Sequence, residues 1–110
     1  MIEKIIIDHL IQETGLIVEA EVPKSKDEYI VIERTGGGCE NHINRATIAV
    51  QSCSKASLFR AATINDMVLN AMANLVALPE ISRCQLNSTY NFTNPQTEVY
   101  RYQAVFDVVY

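Results

Sequence analysis

The sequence has no tryptophan, only three cysteines and no run of basic residues. Its 9 Lys and Arg residues are outnumbered by 13 Asp and Glu residues, which gives a formal net charge of -4. Proteins that hold nucleic acid by its phosphates carry a basic patch or stripe. We therefore do not expect specific nucleic-acid binding.

Long hydrophobic runs are also missing. No apolar stretch approaches the roughly 20 residues that a membrane-spanning helix needs. The apolar residues at the start of the chain, Ile2 and 5–7, are interrupted by Glu3 and Lys4, and no small-residue cleavage site follows them. The sequence therefore predicts neither a membrane span nor a signal peptide, and a protein that stays in the cytoplasm where it is made. In that compartment Cys39, Cys53 and Cys84 are expected to be free thiols.

What the chain does have is enough apolar material for one core. It has 110 residues, of which 48% are hydrophobic and 20% are charged. This length and composition predict a single folded domain over residues 1–110.

Hydrophobic periodicity predicts two helices and five strands. In chain order they are a short helix over 2–13, strands over 16–22, 28–35 and 43–53, a long helix over 55–77, and strands over 83–92 and 97–110. The order α-β-β-β-α-β-β indicates an α+β fold. We expect one mainly antiparallel sheet of about five strands packed against the long helix, with the short helix over an edge or end of the sheet.

The connections carry their own signals. Residues 23–27 are typical of a polar turn, 36–42 of a flexible glycine-rich connection, and 93–96 of a turn that joins the last two strands into a hairpin. Ser54 is a suitable cap for the long helix. The last strand is anomalous, because fourteen extended residues would reach about 46 Å, beyond the roughly 34 Å expected for the whole domain. Either this strand bends at a bulge, or one end leaves the domain and pairs with another subunit.

Three motifs resemble functional sites, but each lacks residues that such a site requires. The run Thr35–Cys39 is glycine-rich, but no Gly-Lys-Ser/Thr follows it, as a phosphate loop requires. Cys39 and His42 have metal-like spacing, but zinc needs three or four ligands, and the remaining candidates, Cys53, Cys84 and His9, lie on separate elements. His9 is interpreted as a satisfied residue at the border of the core. Cys39 and His42 also lack a third group to orient them as a nucleophile and base. We predict no catalytic residue, cofactor or metal.

Several segments together resemble a known family. They are Glu21-Val22-Pro23-Lys24, Val31-Ile32-Glu33-Arg34-Thr35-Gly36-Gly37-Gly38, Ala46-Thr47-Ile48-Ala49-Val50-Gln51-Ser52, Leu86-Asn87-Ser88-Thr89-Tyr90-Asn91-Phe92-Thr93 and Tyr100-Arg101-Tyr102-Gln103-Ala104-Val105-Phe106-Asp107-Val108-Val109-Tyr110. In order and spacing this set is similar to the tail-terminator, or tail-completion, proteins encoded by phages and prophages of Gram-positive bacteria. The resemblance covers nearly the whole chain.

The resemblance implies a structural assembly protein rather than an enzyme. The resemblance further implies a ring, typically of six subunits, that sits on the last ring of the tail tube and stops polymerisation of the tube. The implied partners are further copies of the chain, the major tail-tube protein and the head-completion or connector protein. The implied locations are the bacterial cytoplasm during assembly and then the tail or neck of the virion.

Two alternatives to a tail terminator stay open. One is another head-tail joining protein of the neck. The other is a small oligomeric ligand-binding or enzymatic domain in which the glycine segment closes a pocket. For subunit contact we predict the segment Glu33, Arg34, Thr35, Gly36, Gly37 and Gly38, because glycines allow close approach. Glu33 and Arg34 would pair across a subunit boundary or form a solvated strand end.

Overall fold

The structure, a computed structural model, describes residues 1–23 and 26–110. Its elements are α1 (Ile2–Thr14), β1 (Val18–Glu19), β2 (Glu28–Glu40), β3 (Ile43–Ser54), α2 (Leu58–Ala73), a 3-10 turn (Leu75–Ala77), β4 (Arg83–Asn91) and β5 (Tyr100–Val109). The predicted order of elements and the α+β class are confirmed.

One five-stranded sheet organises the chain, with strand order β1-β2-β3-β5-β4. All neighbouring strands are antiparallel except β1, which runs parallel to β2. The predicted strand over 16–22 shrinks to Val18–Glu19, which pairs only with Ile30 and Val31. Part of the predicted turn over 23–27, namely Lys24 and Ser25, lies outside the described residues.

Both helices cover the same face of the sheet, and the main core lies between them and the strands. Ile6 and Leu10 of α1 and Ile64 and Val68 of α2 recur at a spacing of four, so each pair lies on one side of its helix. These four side chains have no exposed surface. They meet the buried strand residues Ile30, Ile32, Ala46, Ile48, Val50, Ala104, Phe106 and Val108. Burial of each Ile, Leu, Val or Phe side chain among them contributes roughly 1.5–3 kcal/mol to the free energy of folding.

The long helix is shorter than predicted. It starts at Leu58 and not at residue 55, because Ser57 and not Ser54 caps it: the Ser57 hydroxyl accepts a hydrogen bond from the backbone N–H of Arg60 at 3.1 Å. The Ser54 hydroxyl instead accepts from the backbone N–H of Ala56 at 3.1 Å and shapes the preceding turn. The α-helix ends at Ala73, and the 3-10 turn that follows takes up the rest of the predicted range.

The over-long last strand is also corrected. β5 has 10 residues, and the chain before it forms a loop in which the Thr97 N–H bonds the Asn94 carbonyl at 3.0 Å. The predicted β4–β5 hairpin is present, but its connection is longer than 93–96. No part of β5 projects from the domain, so strand length gives no support for association.

The glycine run is a strand and not a loop. β2 continues through Gly36–Gly38 to Glu40, and its last residues pair with β3 down to Glu40 opposite Ile43. Only Asn41 and His42 form the turn, with φ values of 51° and 65°. Two residues with positive φ suit a two-residue hairpin, because that turn matches the twist of the strands. The prediction of a flexible connection over 36–42 was wrong, since β2 pairs with β3 through the glycines.

Candidate assembly surface

The end of the β2–β3 hairpin forms an exposed arm, which we define as residues 33–45. Every residue of the arm is exposed except Asn44, which is half-buried. The structure thus places all six residues predicted for contact, Glu33 to Gly38, together on one exposed strand rather than in a loop. A register shift between Arg34 and Gly36 marks a bulge at the base of the arm.

The three glycines of the arm have different requirements. Gly37 has φ +140°, and a Cβ there would lie 2.3 Å from the Arg45 carbonyl oxygen, so the fold itself demands glycine. A Cβ on Gly36 would meet only Thr47, at 3.9 Å, and one on Gly38 would meet nothing within 4 Å. Neither Gly36 nor Gly38 has a positive φ. The folded chain alone gives no reason for glycine at 36 and 38.

Arg34 has partners within its own chain. Its Nη1 lies 4.0 Å from Oε1 of Glu3 on α1, and its Nε donates to the Gly36 carbonyl at 3.3 Å. The predicted pairing of Glu33 and Arg34 across a subunit boundary therefore competes with contacts in the folded chain. The sequence did not point to Glu3, because nothing in the pattern shows that α1 approaches this strand.

The sheet face opposite the helices, which we call the open face, carries polar rows at the arm end. Thr47 donates to Oδ1 of Asp107 at 3.4 Å, and Asn87 donates to Oδ2 of the same carboxylate at 3.1 Å. A second row joins Gln51 to Gln103 at 3.2 Å. At the other end of this face a small apolar cluster forms from Tyr29, Val31 and Cys53, with Ile17 and Val99 packed against it.

A depression of about 460 Å³ lies at the arm end of the sheet. It is lined by Gly37, Gly38, Arg45, Ala46, Thr47, Arg83, Gln85, Asp107, Val108 and Val109. Its polar groups are largely paired with each other, since Arg83 donates to Gln85 at 2.7 Å and Asp107 accepts two hydrogen bonds. Polar groups that already bond each other are less available to a small molecule than the polar groups of a ligand site.

An apolar groove of about 270 Å³, which the sequence pattern did not predict, lies between α2 and β4. It is lined by Leu69, Met72, Ala73, Cys84, Leu86 and Phe106. The groove exists because α2 packs mainly on β3 and β5 and covers the helix-side face of β4 only in part, so that Leu86 is 45% exposed. The alternation of apolar and polar residues along β4 does not reveal this exposure, because the position of α2 decides which apolar residues are covered.

The cysteines and histidines do not assemble a reactive centre. Cys39 is exposed on the arm, whereas burial raises the pKa of the Cys53 and Cys84 thiols to about 11. His9 is buried, and its Nε2 lies 2.7 Å from the Ala71 carbonyl oxygen, so it joins α1 to α2. The sequence predicted a satisfied residue at the border of the core and did not indicate this contact between the helices. Within residues 1–23 and 26–110, no three His, Cys, Asp or Glu side chains are placed to hold a metal ion.

An ion pair lies at the opposite end of the sheet. Arg60 of α2 donates two hydrogen bonds of 2.8 Å to the Glu28 carboxylate at the start of β2. The hydrogen bonds from Arg60 hold the pKa of Glu28 below its ordinary value, against a partial desolvation that raises it, and the Ser54 hydroxyl assists. This pair fixes α2 to the sheet and lies away from the arm.

Comparison with solved structures finds a protein of the same fold. This chain is similar to a chain of a structure described as the virion of a native gene transfer agent particle. The TM-score is 0.66 with 15% sequence identity, and the match covers 91% of this chain and 82% of that chain. The two share a fold. No protein-family model matches the sequence, and no curated protein matches it significantly. Among the described residues no helix is long and apolar enough to cross a membrane.

Proposed function

We propose that the protein is a structural subunit of a phage-like virion. The observation that carries this proposal is the fold shared with a chain of a gene transfer agent virion over 91% of this sequence. The exposed arm supports it, because 12 of its 13 residues are solvent-exposed in the isolated chain although its two strands pair with each other. A paired strand with one uncovered edge is a surface on which another chain can assemble.

Within that class we propose a tail terminator: a ring, typically of six copies, that caps the tail tube and joins it to the head connector. The resemblance of the arm strand and of β3, β4 and β5 to tail-terminator proteins supports this finer assignment. Its partners would be further copies of itself, the major tail-tube protein and the head-completion protein. The segment Glu33–Gly38 would make subunit contacts, during assembly in the host cytoplasm and afterwards in the virion.

Light scattering over a range of concentrations, combined with binding to assembled tail-tube protein, tests this function. A terminator is expected to form a closed oligomer of fixed mass and to bind tube ends in a small fixed number per tube. A chain that stays monomeric and does not bind tube protein would refute the proposal. Binding to the head connector without any binding to tube ends would instead identify a different neck protein.

A further inference from the structure

The sheet has two unpaired edges at its arm end. On one side, β1 pairs with β2 only as far as Val31, and within residues 1–23 and 26–110 no strand pairs with the outer side of β2 beyond that point. On the other side β4 is the last strand of the sheet. Unpaired backbone on a regular strand is a template for another strand.

The two edges lie at the same position along the direction of the strands. The paired residues Arg83, Val109, Arg45 and Gly38 follow one another across the sheet, and so do Leu86, Phe106, Ile48 and Arg34. The beginning of β4 is therefore level with the end of β2. These strands run in opposite directions, because three antiparallel steps separate them. A rotation that carries one copy beside the next brings the two edges together as an antiparallel pair.

From these observations we propose that β4 of one copy pairs with the arm portion of β2 of the next copy, so that one sheet continues through the oligomer. The inference rests on the proposed ring and names the surface that closes it. Such a contact joins two different patches of the same chain, and this head-to-tail arrangement is the one that generates rings.

Opposite charges at the ends of β4 and β2 favour one register between the two strands. Arg83 is the first residue of β4 and Glu40 is the last residue of β2, and both are exposed and belong to the open face. Placing them opposite each other forms an ion pair directly across the two strands, an arrangement that stabilises paired strands. The same register places Cys39 opposite Cys84 and Gly38 opposite Gln85 of the neighbouring copy, and it stops short of the bulges on both strands.

This register explains Gly38, one of the two glycines that the folded chain does not require. Gly38 would face Gln85 of the neighbouring copy on the open face, while the long Arg83 side chain reaches Glu40 beside it. A glycine in a strand weakens the strand and is often found where another chain approaches closely. Gly38 therefore leaves room for a neighbouring side chain, whereas Gly37 satisfies its own backbone.

The helix side of the sheet agrees with this pairing. Edge pairing places the next copy's β2, and α1 that packs on it, beside the apolar groove between α2 and β4. Ile11 on α1 is 44% exposed and Leu86 in the groove is 45% exposed. Covering both would remove apolar surface from water, which favours association.

Oxidative cross-linking tests the pairing with native cysteines. Copper-phenanthroline treatment of the oligomer should join Cys39 of one copy to Cys84 of the next and give a ladder above the dimer on a non-reducing gel. The ladder should disappear in Cys39→Ser and in Cys84→Ser, and remain in Cys53→Ser, the control in the buried thiol. A product that stops at the dimer and persists in Cys84→Ser would show a two-fold Cys39 contact and overturn the proposal.

Charge exchange provides the second test. Arg83→Glu or Glu40→Arg alone should weaken self-association about tenfold or more, because like charges then face each other. The double variant should recover most of that loss, and Glu98→Arg, an exposed change outside both edges, should have little effect. Gly38→Val should leave the fold intact and weaken association to a similar degree.

The outcomes separate this inference from the proposed function. An oligomer of fixed mass that none of these variants weakens, and that gives no ladder, overturns edge pairing while leaving a ring intact. A chain that is monomeric at every concentration, with no ladder, overturns both.

Discussion

Replacing Gly37 with alanine tests whether the arm depends on a backbone that only glycine adopts. The added Cβ would lie 2.3 Å from the Arg45 carbonyl oxygen and 2.9 Å from the Ala46 Cα, both backbone atoms of the paired strand. Its third neighbour, Nη2 of Arg34 at 2.8 Å, is the end of a flexible side chain and can move away. The clash with β3 can be relieved only by moving one strand of the hairpin.

The cost can be worked from two contributions. A backbone conformation disfavoured for L-residues, here φ +140°, costs about 1–3 kcal/mol. Overpacking against a fixed neighbour costs about 1–3 kcal/mol more. Partial relaxation reduces the sum, so we expect a loss of about 2–4 kcal/mol in the free energy of unfolding, unless the arm opens at a lower cost. In that case global stability falls less and the arm loses its pairing instead.

Urea unfolding and amide hydrogen exchange distinguish these two results. Gly37→Ala should lower the unfolding free energy, or speed exchange of the arm amides from Gly38 to Asn44, or do both. The matched control is Gly38→Ala, whose Cβ meets nothing within 4 Å. It should be neutral or stabilise the chain by up to about 0.5–1 kcal/mol, because alanine has less backbone freedom to lose. If Gly37→Ala keeps both the stability and the exchange rates of the parent, the close approach inferred at this position is wrong.

Two further predictions concern pH and thiol chemistry. Hydrogen bonds from Arg60 lower the folded-state pKa of Glu28 below its ordinary value of 4.5. Their contribution to the free energy of unfolding is therefore fully present above pH 4.5 and is lost as the pH falls through the lowered pKa. Arg60→Ala should therefore reduce the unfolding free energy at neutral pH, and the difference from the parent should shrink in urea titrations carried out at progressively lower pH; a constant difference would contradict this. In the native monomer, Ellman's reagent at pH 8 should modify Cys39 promptly and the buried Cys53 and half-buried Cys84 slowly, because a pKa of about 11 leaves only about 0.1% of these two thiols as thiolate; prompt reaction of Cys53 would show that the core opens.

The sequence predicted the elements that depend on local periodicity. It did not predict features that depend on contacts between distant parts of the chain. The spacing of Ile6 and Leu10 in α1, and of Val68 and Met72 in α2, was enough to identify both helices, and all four side chains are buried. The end of β2 could not be read in the same way. Glycine has a weak preference for strands, so the run from Gly36 to Gly38 was interpreted as a loop, and only its pairing with β3 makes it a strand.

The same limit explains the candidate surface. The segment Glu33–Gly38 was singled out because glycine permits close approach, but the sequence could not tell which glycine serves its own fold. The structure separates them: Gly37 is held by the Arg45 and Ala46 backbone, whereas Gly38 has open space beside it. A strand that contains an unneeded glycine is less stable than it could be. That cost is understandable if the strand is completed by a second chain, because the backbone groups at its outer edge then gain partners that the monomer does not supply.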